Sequence, residues 1–208
     1  SEVVGAGELS YVAHFGKKLP LDPLSINIAA ISEFRRRYLS ELTKLSYGKS
    51  YVTDKMPHNF LYIPLIRAAF PEAQIVHVQR NAAAICWSNY KHYFTTKNLG
   101  YCYDLEDVVS YYSLYSDLMQ FWQLEYSDGI YNLNYEKLTT NQESETRKLV
   151  DFLELGWEEA CLSPQKNKRI VRTASQQQVR QKVYQSSSEV WRKYEPYLNG
   201  AFSSLPSS

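Results

Sequence analysis

Three points along the sequence put a charge or a hydroxyl where chemistry on an anion can begin. Arg80 ends the run AQIVHVQR, and Asn81 opens the helical stretch AAAICWSNYKHYF. A strand thus delivers Arg80 to a helix start, where free backbone N–H groups and the helix dipole favour an anion. Ser88 lies eight residues on, just over two turns and about 12 Å along the axis. A long Arg side chain running beside that helix can meet the Ser88 hydroxyl at one shared phosphate. An Arg paired with a surface carboxylate, and a Ser packed in mid-helix, is the competing reading. Lys55 ends the β-prone run YVTDK just before Pro57. A compact ammonium there can steady negative charge growing on a leaving group; an exposed Lys beside Asp54 is the alternative. The third point is Asn134-Tyr135-Glu136, after the strand-like GIYNLN.

These residues need a scaffold that gathers strand ends. Ile75, Val76 and Val78 make a brief apolar run, the pattern of a strand buried on both faces of a parallel sheet. Ile28, Ile31, Phe34, Tyr38 and Leu42 recur at helical spacing and predict an amphipathic helix over Ile26–Leu45, with Arg35, Arg36 and Arg37 around its wetter side. HNFLYIPLIRAAF predicts a helix starting near His58 or restarting at Pro64. Asp104 caps the longest helix, whose stripe runs through Leu105, Val108, Val109, Tyr112, Met119 and Trp122. ETRKLVDFLEL predicts another helix, with shorter helical pieces near Gln177–Tyr184 and Glu189–Leu198, and SSLPSS reads as a frayed tail. Strand and helix alternate, so the expected fold is α/β: three layers, αβα, around a central parallel sheet, in one domain over residues 1–208. In such sheets ligands bind beyond the carboxyl ends of the strands, where Lys55, Arg80 and Tyr135 fall.

Composition narrows the function classes. The 208 residues carry 23 Lys plus Arg against 22 Asp plus Glu, a formal charge of +1. That is not the basic surplus of a nucleic-acid binder, and a lone triple-Arg reads as a solvated helix flank. No apolar run approaches the roughly 18 residues of a membrane span. Cys86, Cys102 and Cys161 cannot all pair within one chain and match no zinc spacing, which points to a reduced, cytoplasmic setting without metal. The 18 tyrosines read mainly as packing residues on half-buried helix faces.

Seven strings occur in order: GAGEL at 5–9, DKMPHNF at 54–60, FPEAQIVHVQRN at 70–81, CWSNY at 86–90, YEKL at 135–138, DFLEL at 151–155 and TASQQQVRQKVYQSSSEVWRKYE at 173–195. Together they resemble the sulfotransferases that use 3′-phosphoadenosine 5′-phosphosulfate (PAPS). The likeness is nearest to bacterial domains found behind tetratricopeptide repeats, with kinship to tyrosylprotein sulfotransferases. The resemblance implies a P-loop-hydrolase-like fold and transfer of a sulfuryl group to an acceptor hydroxyl on a protein tyrosine, a sugar or a small molecule. Adenosine 3′,5′-bisphosphate would be the product, no metal is called for, and a homodimer is compatible with it. By the same resemblance Arg80 and Ser88 hold the 3′-phosphate, and Tyr135 and Ser175 contact the nucleotide. Lys55 stabilises the transferring group and the leaving phosphate, and Glu8 is the general base, with His14 the rival.

The family pattern begins with a strand and a Gly/Ser/Thr-rich loop that cradles the 5′-phosphosulfate; this sequence starts after it, at GAGEL. Without that strand a central sheet position is expected to stand vacant, with exposed edges beside it. Val190 replaces a basic residue that reaches the phosphates in relatives, Lys182 replaces a Pro, and Ala82-Ala83-Ala84 replaces a more polar string. Arg180 or Arg192 can compensate for the lost cation. These departures keep open a catalytically silent module that binds adenosine 3′,5′-bisphosphate or a protein partner. A P-loop phosphotransferase, the third reading, requires GxxxxGK[ST] upstream and magnesium.

Overall fold

Two pairs of parallel strands organise the chain. β1 (Val3–Gly7) pairs with β2 (Tyr51–Asp54), and β3 (Ile75–Gln79) pairs with β4 (Ile130–Asn134). The computed structural model describes residues 2–18, 27–95, 97–167 and 180–206. Ser175 and most of the TASQQQVR string lie outside these residues. Two compact units divide at residue 73, Ser1–Ala73 and Gln74–Ser208. The expected parallel α/β pattern is present as two short two-stranded sheets, one per unit.

In the first unit the order is β1, α1 (Tyr11–Gly16), α2 (Ile28–Leu45), β2, a 3₁₀ segment at Pro57–Tyr62 and α3 (Ile63–Ala69). Asn27 starts α2 by accepting the Ala29 N–H at 2.8 Å, which satisfies one of the unpaired donors at a helix start. The apolar stripe of α2 supplies Phe34 and Tyr38 to a core completed by Val12, Leu65, Ala69 and Phe70, with Ile31 and Leu42 packed against it. Ile28 is the exception, at 80% exposed; it is the first residue of the helix. Phe34 stacks on Phe15 at 4.5 Å and meets Phe70 edge-on at 5.4 Å. The triple-Arg flank is wet and paired: Arg36 and Arg37 engage Glu33, and Arg35 engages Glu72. Two guanidinium groups hold the exposed Glu33 carboxyl down to about 2.

The β1–β2 ladder is regular from Val3↔Tyr51 to Gly5↔Thr53 and then slips, so that Gly7 faces Asp54. The extra residue is a bulge, which re-aims the chain at a sheet edge. Gly7 sits at φ 92°, a conformation that side chains disfavour.

The second unit runs β3, α4 (Ala82–Tyr90), a 3₁₀ segment at Lys97–Tyr103, α5 (Leu105–Glu125), β4, α6 (Tyr135–Thr140) and α7 (Gln142–Phe152). Short 3₁₀ turns follow, two of them at Val190–Lys193 and Glu195–Tyr197. Asn81 caps α4 through Ala84 N–H, and Asp104 caps α5 through Glu106 and Asp107 N–H. Ala82, Ala83 and Ala84 are all buried. The last two join a core with Cys86, Val108, Trp191, Leu198 and Phe202. Small side chains there let the α4 backbone approach α5 and the Trp191 turn closely.

Three expectations are corrected. β3 is less buried than its apolar run predicts: among the described residues Val78 is 51% exposed. α5 reaches the His77 side of the strand through Tyr115, and alternation turns Val78 to the other side. The SSLPSS end does not fray over its described residues. Ser203 and Leu205 close turns onto Gly200 and Phe202, and Leu205 packs on the core. Within the predicted Gln177–Tyr184 piece, Lys182–Tyr184 is not helical.

Candidate functional site

In the first unit the bulge in β1 brings Glu8 to Lys55. The Lys55 ammonium donates to Glu8 Oε1 in an ion pair spanning 47 positions. Lys55 is therefore paired with Glu8 rather than with its neighbour Asp54. Among the described residues Glu8 Oε2 takes part in no hydrogen bond, so one lone-pair-bearing oxygen stays open. Backbone contacts hold the two residues from both sides: Lys55 N–H donates to the Gly7 carbonyl at 2.8 Å, and Leu9 N–H donates to Asp54 Oδ1 at 3.0 Å. Tyr38 donates its hydroxyl to Asp54 Oδ2 at 2.7 Å. Burial, then Asp54, push the Tyr38 hydroxyl above its ordinary range and keep it a donor. His14, the rival base, is an exposed side chain on α1 facing the Lys18 amine at 2.9 Å.

In the second unit Arg80 leaves the end of β3 and lies over the Tyr135 ring, 5.0 Å from its centre. Its Nη2 donates to the Ser187 carbonyl at 2.6 Å and its Nε to the Ser188 hydroxyl at 3.2 Å. The Tyr135 and Ser187 hydroxyls are 2.9 Å apart. Glu136 completes the set, accepting from Ser188 and from the Asn81 N–H at the start of α4. The anion expected at that helix start is thus met by a protein carboxylate. Ser88 is a half-buried residue of α4, and among the described residues no hydrogen bond joins it to Arg80. Arg192 turns to Glu189 and the Trp191 ring, and Arg180 donates to the Asn167 carbonyl.

Chain pattern does not single out Ser187 and Ser188 as partners of Arg80, or Glu136 as the acceptor behind Ser188. The three consecutive serines of QSSSEVW were the available signal, since small hydroxyls in a turn suit contact with a guanidinium or an oxyanion. Beside this network opens a cavity of about 260 Å³, with Arg80, Asn81 and Glu136 at one side and Gln79, Tyr112 and Gln120 among its other walls. Its lining is mostly hydrogen-bonding side chains, with one cation and one carboxylate. Among the described residues no group of three or more His, Cys, Asp or Glu is placed to hold a metal ion. No described helix is long and apolar enough to cross a membrane.

Each unit thus sets a cation at a strand end: in the first a Lys paired with a carboxylate, in the second an Arg held by a serine hydroxyl, a serine carbonyl and a tyrosine ring. Residues 22–159 match the sulfotransferase family, and on that match, over more than half of its length, the chain belongs to this family. An uncharacterized protein of Aquifex aeolicus (strain VF5) is 36% identical over 192 residues, an alignment covering 91% of this chain and 25% of that protein. The chain therefore spans about a quarter of the length of the relative it matches. Lys55, Arg80, Ser88 and Tyr135 fall inside the family match; Glu8 and Ser175 fall outside it.

Proposed function

We propose that this chain transfers a sulfuryl group from PAPS to an acceptor hydroxyl by in-line displacement. The observation that carries the reading is that Arg80 lies over the Tyr135 ring and donates to the Ser188 hydroxyl and the Ser187 carbonyl, with the Ser187 and Tyr135 hydroxyls paired beside it. A phosphate monoester needs a fixed guanidinium and neutral donors around it, and these residue types supply both. In this reading Arg80, Tyr135, Ser88 and Ser175 hold the nucleotide, Arg80 and Ser88 at its 3′-phosphate.

The transfer step balances simply. The acceptor oxygen attacks sulfur, the bond from sulfur to the bridging phosphate oxygen breaks, and adenosine 3′,5′-bisphosphate leaves. Glu8 takes the acceptor proton on its open oxygen, a role typically worth about 10²–10⁴-fold. Lys55 offsets the charge growing on the leaving phosphate. The proposal includes a three-layer αβα arrangement about one central parallel sheet, in a single domain over 1–208. The family match, which runs through residues of both units, supports this. Kinship with tetratricopeptide-associated and tyrosylprotein sulfotransferases, and a cytoplasmic setting supported by three free cysteines, belong to the same reading.

A catalytically silent, nucleotide-binding module is the second reading. The observation favouring it is that Arg192, one of the two candidates to replace the missing cation at Val190, is engaged by Glu189. Calorimetry with adenosine 3′,5′-bisphosphate tests the site shared by both readings, comparing the chain with Arg80→Ala. Loss of a charge-assisted contact worth about 1.5–3 kcal/mol predicts a fall in affinity of roughly 10- to 150-fold. A folded chain that binds no nucleotide, or binds it equally well without Arg80, ends the proposal. Transfer by the full-length protein then separates the enzyme from the silent module.

A further inference from the structure

Asp54 stands at the end of β2, half-buried, with its oxygens divided among three segments. Oδ1 accepts the Leu9 N–H at 3.0 Å; Oδ2 accepts the Tyr38 hydroxyl at 2.7 Å and the Asn59 amide at 3.5 Å. The Leu9 nitrogen belongs to the peptide group on the carboxyl side of Glu8. From the other direction, Lys55 N–H donates to the Gly7 carbonyl, which belongs to the peptide group on the amino side of Glu8. Both peptide planes flanking Glu8 are therefore held by residues 54 and 55. The anchor behind them is Tyr38, fixed at 8% exposure among Phe34 and Phe70.

We infer that Asp54 is a positioning residue that sets the Glu8–Lys55 pair in its reacting geometry by holding the backbone on which Glu8 stands. The inference rests on the reading that Glu8 and Lys55 carry the chemistry. A carboxylate suits the task because it accepts all three bonds without a proton of its own, and charge-assisted bonds are shorter and stronger than neutral ones. Removing the acceptor frees the Leu9 amide and with it the Glu8 peptide, while Lys55 keeps its own strand. The pair then loses definition without either member being changed.

The experiment uses the whole protein, with two readouts. The first is the NMR resonance of ¹³C-dimethylated Lys55, assigned by its loss in Lys55→Arg. The second is turnover of PAPS with 4-nitrophenol as acceptor, read as kcat and KM for PAPS. Glu8→Gln should move the Lys55 resonance toward those of free lysines and lower kcat about 100-fold or more. Asp54→Ala should move it the same way and lower kcat about tenfold or more, with KM within about twofold, as expected for a misplaced reacting group. Asp54→Asn, whose carbonyl still accepts the Leu9 N–H, should restore kcat to within about threefold of the parent. A merely structural role would lower melting temperature without moving the resonance or splitting kcat from KM. An Asp54→Ala protein with the parental resonance overturns the inference and leaves the catalytic reading standing. Full activity in Glu8→Gln overturns the catalytic reading, and the inference with it. Should Asp54→Ala fail to fold, Tyr38→Phe decides, since it removes the shorter of the two side-chain bonds that hold Asp54, the Asn59 amide standing at 3.5 Å: a shifted Lys55 resonance supports the inference and an unchanged one overturns it.

Discussion

Arg80 donates to the carbonyl of Ser187 at 2.6 Å, across 107 positions of sequence. The contact joins the end of β3 to a turn near the end of the chain. It is reinforced by Ser188, whose hydroxyl lies between the Arg80 guanidinium and the Glu136 carboxylate. The guanidinium plane is thereby fixed, which would lower the ordering cost of the nucleotide binding proposed for it.

Ser188 is 3% exposed, so its replacement cannot be repaired by water without rearrangement. Ser188→Ala leaves the Glu136 carboxylate and the Arg80 Nε each short of a partner, at a cost of about 1–3 kcal/mol. A lower urea midpoint, together with weaker binding of adenosine 3′,5′-bisphosphate, is the expected result. Unchanged stability would show that the hydroxyl is not shared as described.

Gly16 ends α1 against the Tyr62 ring, where an added Cβ would stand 2.3 Å from a ring carbon. The ring belongs to the packed edge of the first core and cannot swing away freely. Gly16→Ala should therefore destabilise the protein by about 1–3 kcal/mol, the usual penalty for overpacking. Thermal or urea melting checks this; a melting point equal to the parent's would mean that Tyr62 yields without loss.

His77 donates or accepts at both ring nitrogens, toward Asn132 and Tyr115. Burial holds the imidazole below its ordinary value, with the Asn132 bond acting the other way. With the folded-state value depressed, the unfolded chain takes up the proton more readily. Its contribution to stability is then complete above the ordinary histidine value of about 6.5 and is lost as pH falls toward the folded value. Urea midpoints at pH 7.5 and 5.5 should differ more in the parent than in His77→Gln. Equal differences would remove His77 as the source.

Cys86 and Cys102 are both 0% exposed, and burial pushes the Cys86 thiol up to about 12 and raises that of Cys102. Since the thiolate is the reactive form, a disulfide reagent at pH 8 should label Cys161 quickly and the other two only after denaturation. Rapid labelling of native Cys161→Ser would show that the second core opens.

What the sequence made legible was local. The α2 stripe and the Asn81 and Asp104 caps rest on residues within a few positions of one another, where helix periodicity and capping act. The Arg80–Ser187 and Tyr135–Ser187 contacts were not legible, because no pattern in either segment specifies a partner 107 or 52 positions away. Glu8 entered only through the family string GAGEL, whereas its pairing with Lys55 depends on a slipped strand register. The exposure of Val78 was missed for a related reason. An apolar run reports what a strand can bury, and pairing decides what it does bury.

The slip in β1 has a further consequence, one of insulation. A bulge sets two residues of one strand against a single residue of its partner, so the surplus is absorbed where it occurs. Here Gly5 and Gly7 face the consecutive residues Thr53 and Asp54, and beyond them Leu9 packs on the aromatic core while Glu8 meets Lys55. Deleting Ala6 would leave those two pairs adjacent and the ladder unbroken, with Glu8 and Leu9 on the sides they already hold. What the deletion would remove is the local bend alone. In this segment the partner of Gly7, not the count of residues before it, sets where the pair stands.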